Sequence, residues 1–360
     1  MTPLETELRR IIAIDGPLDI ARYVALCLGH PLHGYYVARG PLGSGGDFIT
    51  APEISQMFGE LIGLWAAAIW HAMGTPAPLR LIELGPGRGT LMADALRATT
   101  VVPAFRAALA VHLVETSPRL IARQRETLPG LDIPLAWHRD LGEVSPGPAI
   151  VIANEFFDAL PVHQAIKGRN GWHLRMVGLT NDRLAFRVSP DPIPDFETAL
   201  PQPLHDAPLG AIYEWRDDHI ALELARRLVR DGGAALIIDY GHTASAAGDT
   251  LQAVRGHRYV NPLAEPGLAD LTAHVDFAAL ARVAERAGAR VQGPVAQGTF
   301  LRRLGIEQRA QRLKAGAAPR QAADIGSAVK RLVGADAMGT LFKVLGVADP
   351  KLGAVPGFDS

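Results

Sequence analysis

Residues 81–90 read Leu81-Ile82-Glu83-Leu84-Gly85-Pro86-Gly87-Arg88-Gly89-Thr90. An aliphatic run, three glycines at alternate positions and a helix-compatible continuation spell a strand, a tight loop and the start of a helix. Glycine permits positive φ and lets backbone approach a ligand closely, and the free N–H groups of a helix start attract negative charge. A ligand is therefore expected at the carboxyl edge of this strand. Spacing narrows the choice of ligand. A dinucleotide fingerprint places glycines first, third and sixth. Here they fall first, third and fifth, with Thr90 sixth, which counts against a nicotinamide-dependent oxidoreductase.

Outward from this loop the chain alternates short apolar runs with helix-like stretches. The runs are 79–84, 110–114, 149–153 and 234–238, short and aliphatic enough for strands buried on both faces. That rhythm predicts an α/β fold with a parallel sheet. Between the third and fourth runs, 172–177 and 183–188 flank a turn as a hairpin, within a β-rich insertion at about 162–215. Upstream, Leu4, Leu8, Ile11 and Ile12, then Ile20, Val24 and Leu28, follow helical spacing. A glycine-rich stretch, 33–46, leads to a periodic segment from Pro52 to Gly74, read as one long helix. Downstream, helices are expected at 217–230, 276–287, 303–316 and 320–334, with a last strand at 340–347. The expected division is an N-terminal helical region at 1–75, a main domain at 76–348 carrying the insertion, and a tail at 349–360.

Composition removes several classes of function. Lys plus Arg number 36 against 37 Asp plus Glu, a net charge of −1, and no run of like charge offers the basic face of a nucleic-acid binder. The single Cys27 excludes an internal disulfide and fits a reducing compartment. The longest apolar run, 61–70, is too short to span a membrane. The first residues lack the plan of a signal or transit peptide, so the expected location is the cytoplasm. The 12 histidines show no metal-ligand spacing, and no metal is expected. His274 reads as structural and Asp276 as a helix cap.

Carboxylates follow the next strands in order. Glu115 closes the run 110–114, and Ser117-Pro118 beyond it reads as helix cap and first helical position. A carboxylate at that strand tip can accept both hydroxyls of a ribose. Asp140, after a weak third strand, is a candidate for an adenine amino group. Asn154, Glu155 and Asp158 follow the strand at 149–153, on the side of the crevice where a substrate would lie. An acidic residue followed by GxGxG, then a strand-end glutamate, is the pattern of S-adenosylmethionine-dependent methyltransferases. Methyl transfer is an in-line displacement, so the protein mainly aligns the partners and excludes water. Two carboxylates, Glu155 and Asp158, suit a guanidinium nucleophile, which stays protonated in water and is gripped by its fork.

Four separated blocks, from near residue 15 to near 348, carry a closer resemblance. They are His33-Gly34-Tyr35-Tyr36 with Gly46-Asp47-Phe48-Ile49-Thr50-Ala51-Pro52-Glu53-Ile54-Ser55-Gln56, then 83–90, then 154–162, and finally Leu271-Thr272-Ala273-His274-Val275-Asp276-Phe277 with Gln297-Gly298-Thr299-Phe300-Leu301. In these the chain resembles the MidA family of methyltransferases, assembly factors for respiratory complex I, together with their bacterial relatives. The resemblance implies a class I methyltransferase fold: a Rossmann-like seven-strand sheet with its last strand antiparallel and an N-terminal helical lid. It implies S-adenosyl-L-methionine as cofactor, held by Glu83, Gly85, Pro86, Gly87, Gly89, Glu115, Asp140 and Asn154, with Asp47, Phe48 and Thr50 closing over it. It also implies symmetric dimethylation of an arginine on a protein, such as a complex I core subunit. An Ala-, Gly- and Arg-rich composition points to a bacterial member, and the apolar faces of the lid helices could serve a homodimer or simply the core. Glu155 and Asp158 are the expected catalytic pair. From another class of function, the same fold could serve as an assembly chaperone without catalysis.

Overall fold

The computed structural model describes residues 1–38, 49–130 and 132–358. Seven strands carry the predicted sheet: β1 (Leu79–Leu84), β2 (Leu109–Val114), β3 (Leu135–His138), β4 (Ala149–Asn154), β5 (Gly233–His242), β6 (Arg290–Ala296) and β7 (Phe342–Ala348). They are hydrogen-bonded in the order β6-β7-β5-β4-β1-β2-β3. Neighbours from β5 to β3 run parallel, and β7 is antiparallel to both β5 and β6. All six residues of β4 and all but Arg80 of β1 are buried, as a parallel sheet covered on both faces requires. Strand order reverses between β1 and β4, and in open sheets a ligand crevice forms outside the carboxyl ends of the strands at that point. This is the expected class I methyltransferase arrangement.

The segment from Pro52 to Gly74 departs from expectation. It forms two helices, Ala51–Ile54 and α1 (Gln56–Ala72), because Ser55 is extended at φ −163° and ψ 136°. The Ser55 hydroxyl accepts the Met57 N–H at 3.2 Å and starts α1 afresh. Helix α1 buries Met57, Phe58, Ile62, Trp65 and Ile69, and such all-round apolarity marks a helix inside a core. It lies so near α2 (Thr90–Ala98) that a methyl group on Gly63 would stand 2.6 Å from the Ala95 carbonyl oxygen. The glycine-loop helix is thereby locked to α1.

The chain divides into two compact units. One comprises Ile49–Phe157, Asp218–Thr243 and Phe277–Ser360, and it contains the seven-strand sheet. Its core joins α1 and α2 to Leu81, Ile150, Leu236 and Val344 of the strands. The other comprises Met1–Phe48, Asp158–Asp217 and Ala244–Asp276. In it, helices Pro3–Asp15 and Ile20–Gly29 share a core of Leu4, Leu8, Ile20, Tyr23 and Val24 with Val177 and Leu271. The antiparallel pair Gly171–Thr180 and Arg183–Pro192 forms the expected hairpin.

This division differs from the expected one in two respects. The N-terminal helices and the insertion, read separately in the sequence, bury their apolar residues in one core. Residues 49–75 and the stretch after 348 belong with the sheet, where Leu352 and Val355 are buried and the Trp65 indole donates to the Pro356 carbonyl at 3.1 Å. Among the described residues no helix is long and apolar enough to cross a membrane.

Candidate active site

Strand β1 delivers Gly85, Gly87 and Gly89 with φ of 61°, 53° and 81°. Positive φ at alternate positions folds the chain into an arc and aims the start of α2 at the crevice. Gly85 has a second reason to be glycine, because a Cβ there would stand 2.8 Å from the Phe156 ring. The arc is held at both ends. The Gly85 N–H donates to the Val114 carbonyl at 3.0 Å, and the Gly89 N–H donates to the Pro86 carbonyl at 2.7 Å. Glu53, on the helix Ala51–Ile54, accepts the Thr90 hydroxyl at 2.5 Å and the Arg88 guanidinium at 3.4 Å. The sequence block containing Thr50 is thus tied to the glycine loop. Thr50 itself is the N-cap residue of that short helix, with no side-chain cap bond. Asp47 and Phe48 lie outside the described residues.

Glu115 stands one residue past β2, its N–H donating to the His138 carbonyl at 2.8 Å. Its carboxylate is buried. One oxygen accepts the Ser117 N–H at 2.8 Å and the other the Gln124 amide at 3.2 Å. Burial pushes its pKa upward, against the pull of these two donors and of the Thr116 N–H. Ser117 also caps α3 (Pro118–Thr127), as its position before a proline foretold. Gln124 was not anticipated. Leu120 and Gln124, four residues apart, occupy the buried face of α3, and a polar residue at an apolar position was the available signal.

The tips of β1 and β4 carry two acceptors without partners. Glu83 Oε2 and Asn154 Oδ1 are buried and receive no hydrogen bond among the described residues. Burial alone raises the Glu83 pKa to about 8. Buried acceptors are normally satisfied, so an orphaned pair marks a place where a ligand brings donors. Glu155 sits at φ 51°, and its Oε1 accepts the Ala51 N–H at 3.1 Å and the Asn154 amide at 3.3 Å. Glu155 therefore ties the end of β4 to the start of the helix Ala51–Ile54.

Two further predicted residues make bonds within the fold. Asp140 is exposed and caps the short turn Leu141–Glu143 by accepting the Gly142 N–H at 2.7 Å. Asp158 belongs to the other unit, where its backbone carbonyl accepts from Arg216 at 3.0 Å and from the Ala273 N–H at 3.2 Å. Arg216 also donates to the carbonyls of Ala273 at 2.7 Å and His274 at 2.9 Å. That guanidinium gathers two of the sequence blocks, a role no spacing pattern announced. Among the described residues no group of three or more His, Cys, Asp and Glu is arranged to hold a metal ion.

The residues suit S-adenosyl-L-methionine. The orphaned acceptors Glu83 and Asn154 complement a cationic amino-acid end, the glycine arc gives it backbone access, and Glu115 offers oxygens to a diol.

Comparisons with known proteins agree. The profile of Methyltransf_28, described as "Putative S-adenosyl-L-methionine-dependent methyltransferase", matches residues 61–295. The chain is 37% identical to the mitochondrial protein arginine methyltransferase NDUFAF7 of Danio rerio, over 94% of this chain and 85% of that protein. It is 39% identical to the Homo sapiens protein of that name, over 86% of this chain and 75% of that one. A crystal structure of a superfamily member from Burkholderia thailandensis, bound to S-adenosyl-homocysteine, superposes with a TM-score of 0.82 at 31% identity. That match covers 99% of this chain and 92% of the other. The profile covers well over half of the sequence, and the chain belongs to this family of S-adenosyl-L-methionine-dependent methyltransferases.

Proposed function

We propose that this methyltransferase acts on an arginine side chain of a protein and carries it to the symmetric dimethyl form, with a respiratory complex I core subunit as the target. The reading is supported by relatives named protein arginine methyltransferase at 37% and 39% identity. The observation that carries it is the Glu155 carboxylate, held at positive φ at the tip of β4 beside the orphaned Asn154 carbonyl oxygen. In this reading Glu83, Asn154 and the glycine arc hold the amino-acid end of the cofactor, Glu115 holds the ribose, and Thr50 lies on the segment that covers them.

When bound, S-adenosyl-L-methionine supplies an electrophilic methyl group on a sulfonium. Glu155 accepts hydrogen bonds from the guanidinium fork and fixes which nitrogen faces the methyl group. Such a carboxylate also takes up, directly or through water, the proton shed once that nitrogen is alkylated. Asp158, three residues on in the chain, is the second carboxylate of the proposal on sequence grounds. The buried residues of β4 keep water from the strand below its tip.

The test is transfer of a radiolabelled methyl group from S-adenosyl-L-methionine to a cell extract, followed by acid hydrolysis and separation of the methylated amino acids. Label in symmetric dimethylarginine, lost with Gly87→Val and with Glu155→Gln, is the expected result. Label confined to lysine or to small molecules would overturn the substrate class.

A further inference from the structure

Gln124 is wholly buried on α3, and both hydrogen bonds its amide donates reach residues of the site. Its Nε2 donates to the Gly87 carbonyl at 2.8 Å and to Glu115 Oε2 at 3.2 Å. Its Oε1 accepts the Trp137 indole N–H at 2.9 Å. The orientation of the amide is forced by chemistry: a carbonyl and a carboxylate can only accept, and an indole N–H can only donate. The stem of the side chain lies against Gly89, where an added Cβ would meet Gln124 Cγ at 3.5 Å. One side chain therefore joins two glycines of the arc, the acid after β2 and the aromatic residue of β3. A leucine would suit the apolar face of α3 equally well, so helix packing does not call for this amide.

We propose that Gln124 is a positioning residue for cofactor recognition, its amide anchored on the Gly87 carbonyl and fixing the Glu115 carboxylate as a preformed acceptor for the ribose diol of the ligand. The proposal rests on the assignment of Glu115 to the ribose. Without the amide, Glu115 keeps only backbone donors, the N–H groups of Ser117 and Thr116, and loses its side-chain donor, while the Gly87 carbonyl loses the amide as well. The cost falls on ligands that carry the diol. A purely structural role would weaken every ligand alike.

The experiment is calorimetric titration of the full chain with S-adenosylhomocysteine and its 2′,3′-dideoxy analogue. Gln124→Met removes the amide at similar volume. Gln124→Leu removes the amide with a side chain suited to the apolar face of α3, so it serves where the first variant folds poorly. Both are also made in a Glu115→Ala background. A hydrogen bond to a charged group is worth enough that either variant should lose at least about tenfold in affinity for S-adenosylhomocysteine, with the dideoxy analogue changed by less than about twofold. In the Glu115→Ala background the further loss should be under about twofold, because the partner is already gone. Equal losses for both ligands, or an undiminished loss in that background, would overturn the proposal. If Glu115→Ala alone leaves the diol preference intact, the ribose assignment fails and the proposal falls with it. That result is visible without any change at Gln124.

Discussion

Glu83 is neutral in the folded protein at pH 7. It is buried at the end of β1 with one oxygen unpartnered, and its pKa stands at about 8 against 4.5 for a free glutamate side chain. The folded state holds a proton there that the unfolded chain releases above pH 4.5. Stability from this group is complete below pH 4.5, declines as pH rises and levels off above pH 8. At about 1.36 kcal/mol per pH unit, the loss is about 1 kcal/mol at pH 5.5 and about 4 to 5 kcal/mol at pH 8.5. Glu83→Gln keeps the size and stays neutral throughout, so its advantage over the parent should grow by about 3 kcal/mol between those two pH values. Urea denaturation of both proteins across this range reads the difference directly, and every other titrating group cancels in it. The same substitution should weaken S-adenosyl-L-methionine binding, since a cationic group brought to this carboxyl drives it to ionise and a neutral amide cannot respond in that way. Stability curves that run parallel from pH 5.5 to 8.5 would refute the reasoning.

Two further outcomes are expected. Gly85→Ala combines a positive φ with a Cβ 2.8 Å from the Phe156 ring, and should cost about 2 kcal/mol and abolish measurable cofactor binding, whereas Gly29→Ala, with open space around its Cβ, serves as a neutral control. Equal melting temperatures for the two variants would contradict this. Arg216→Met strips a shared guanidinium from the carbonyls of Asp158, Ala273 and His274 and should destabilise by about 3 kcal/mol in urea. A change below about 0.5 kcal/mol would show that water replaces those bonds at no cost.

The parallel strands were legible because burial on both faces demands continuous aliphatic runs, and β1 was read with its observed bounds. The glycine loop was legible for a different reason: positive φ at alternate positions leaves few residue types, so backbone geometry writes itself into composition. Glu115 and Ser117 were found by their place after a strand and before a proline. The break at Ser55 was hidden inside an apolar periodicity that continues across it, since spacing records which residues are buried and not whether one carbonyl ladder is unbroken. Gln124 and Arg216 were missed because a polar side chain at a buried position is explained only by the groups it meets, and those lie far away in sequence.

By itself the sequence determined the class of fold, the strand that carries the glycine arc and the class of cofactor, because local backbone requirements and burial period are properties of short segments. Only the tertiary structure decided the strand order that opens the crevice, the shared core of the N-terminal helices and the insertion, and the orphaned state of Glu83 and Asn154. It also supplied the single amide that joins Gly87, Glu115 and Trp137. Each of these depends on which distant segments meet, and a hydrogen bond acts over about 3 Å of space whatever the separation along the chain.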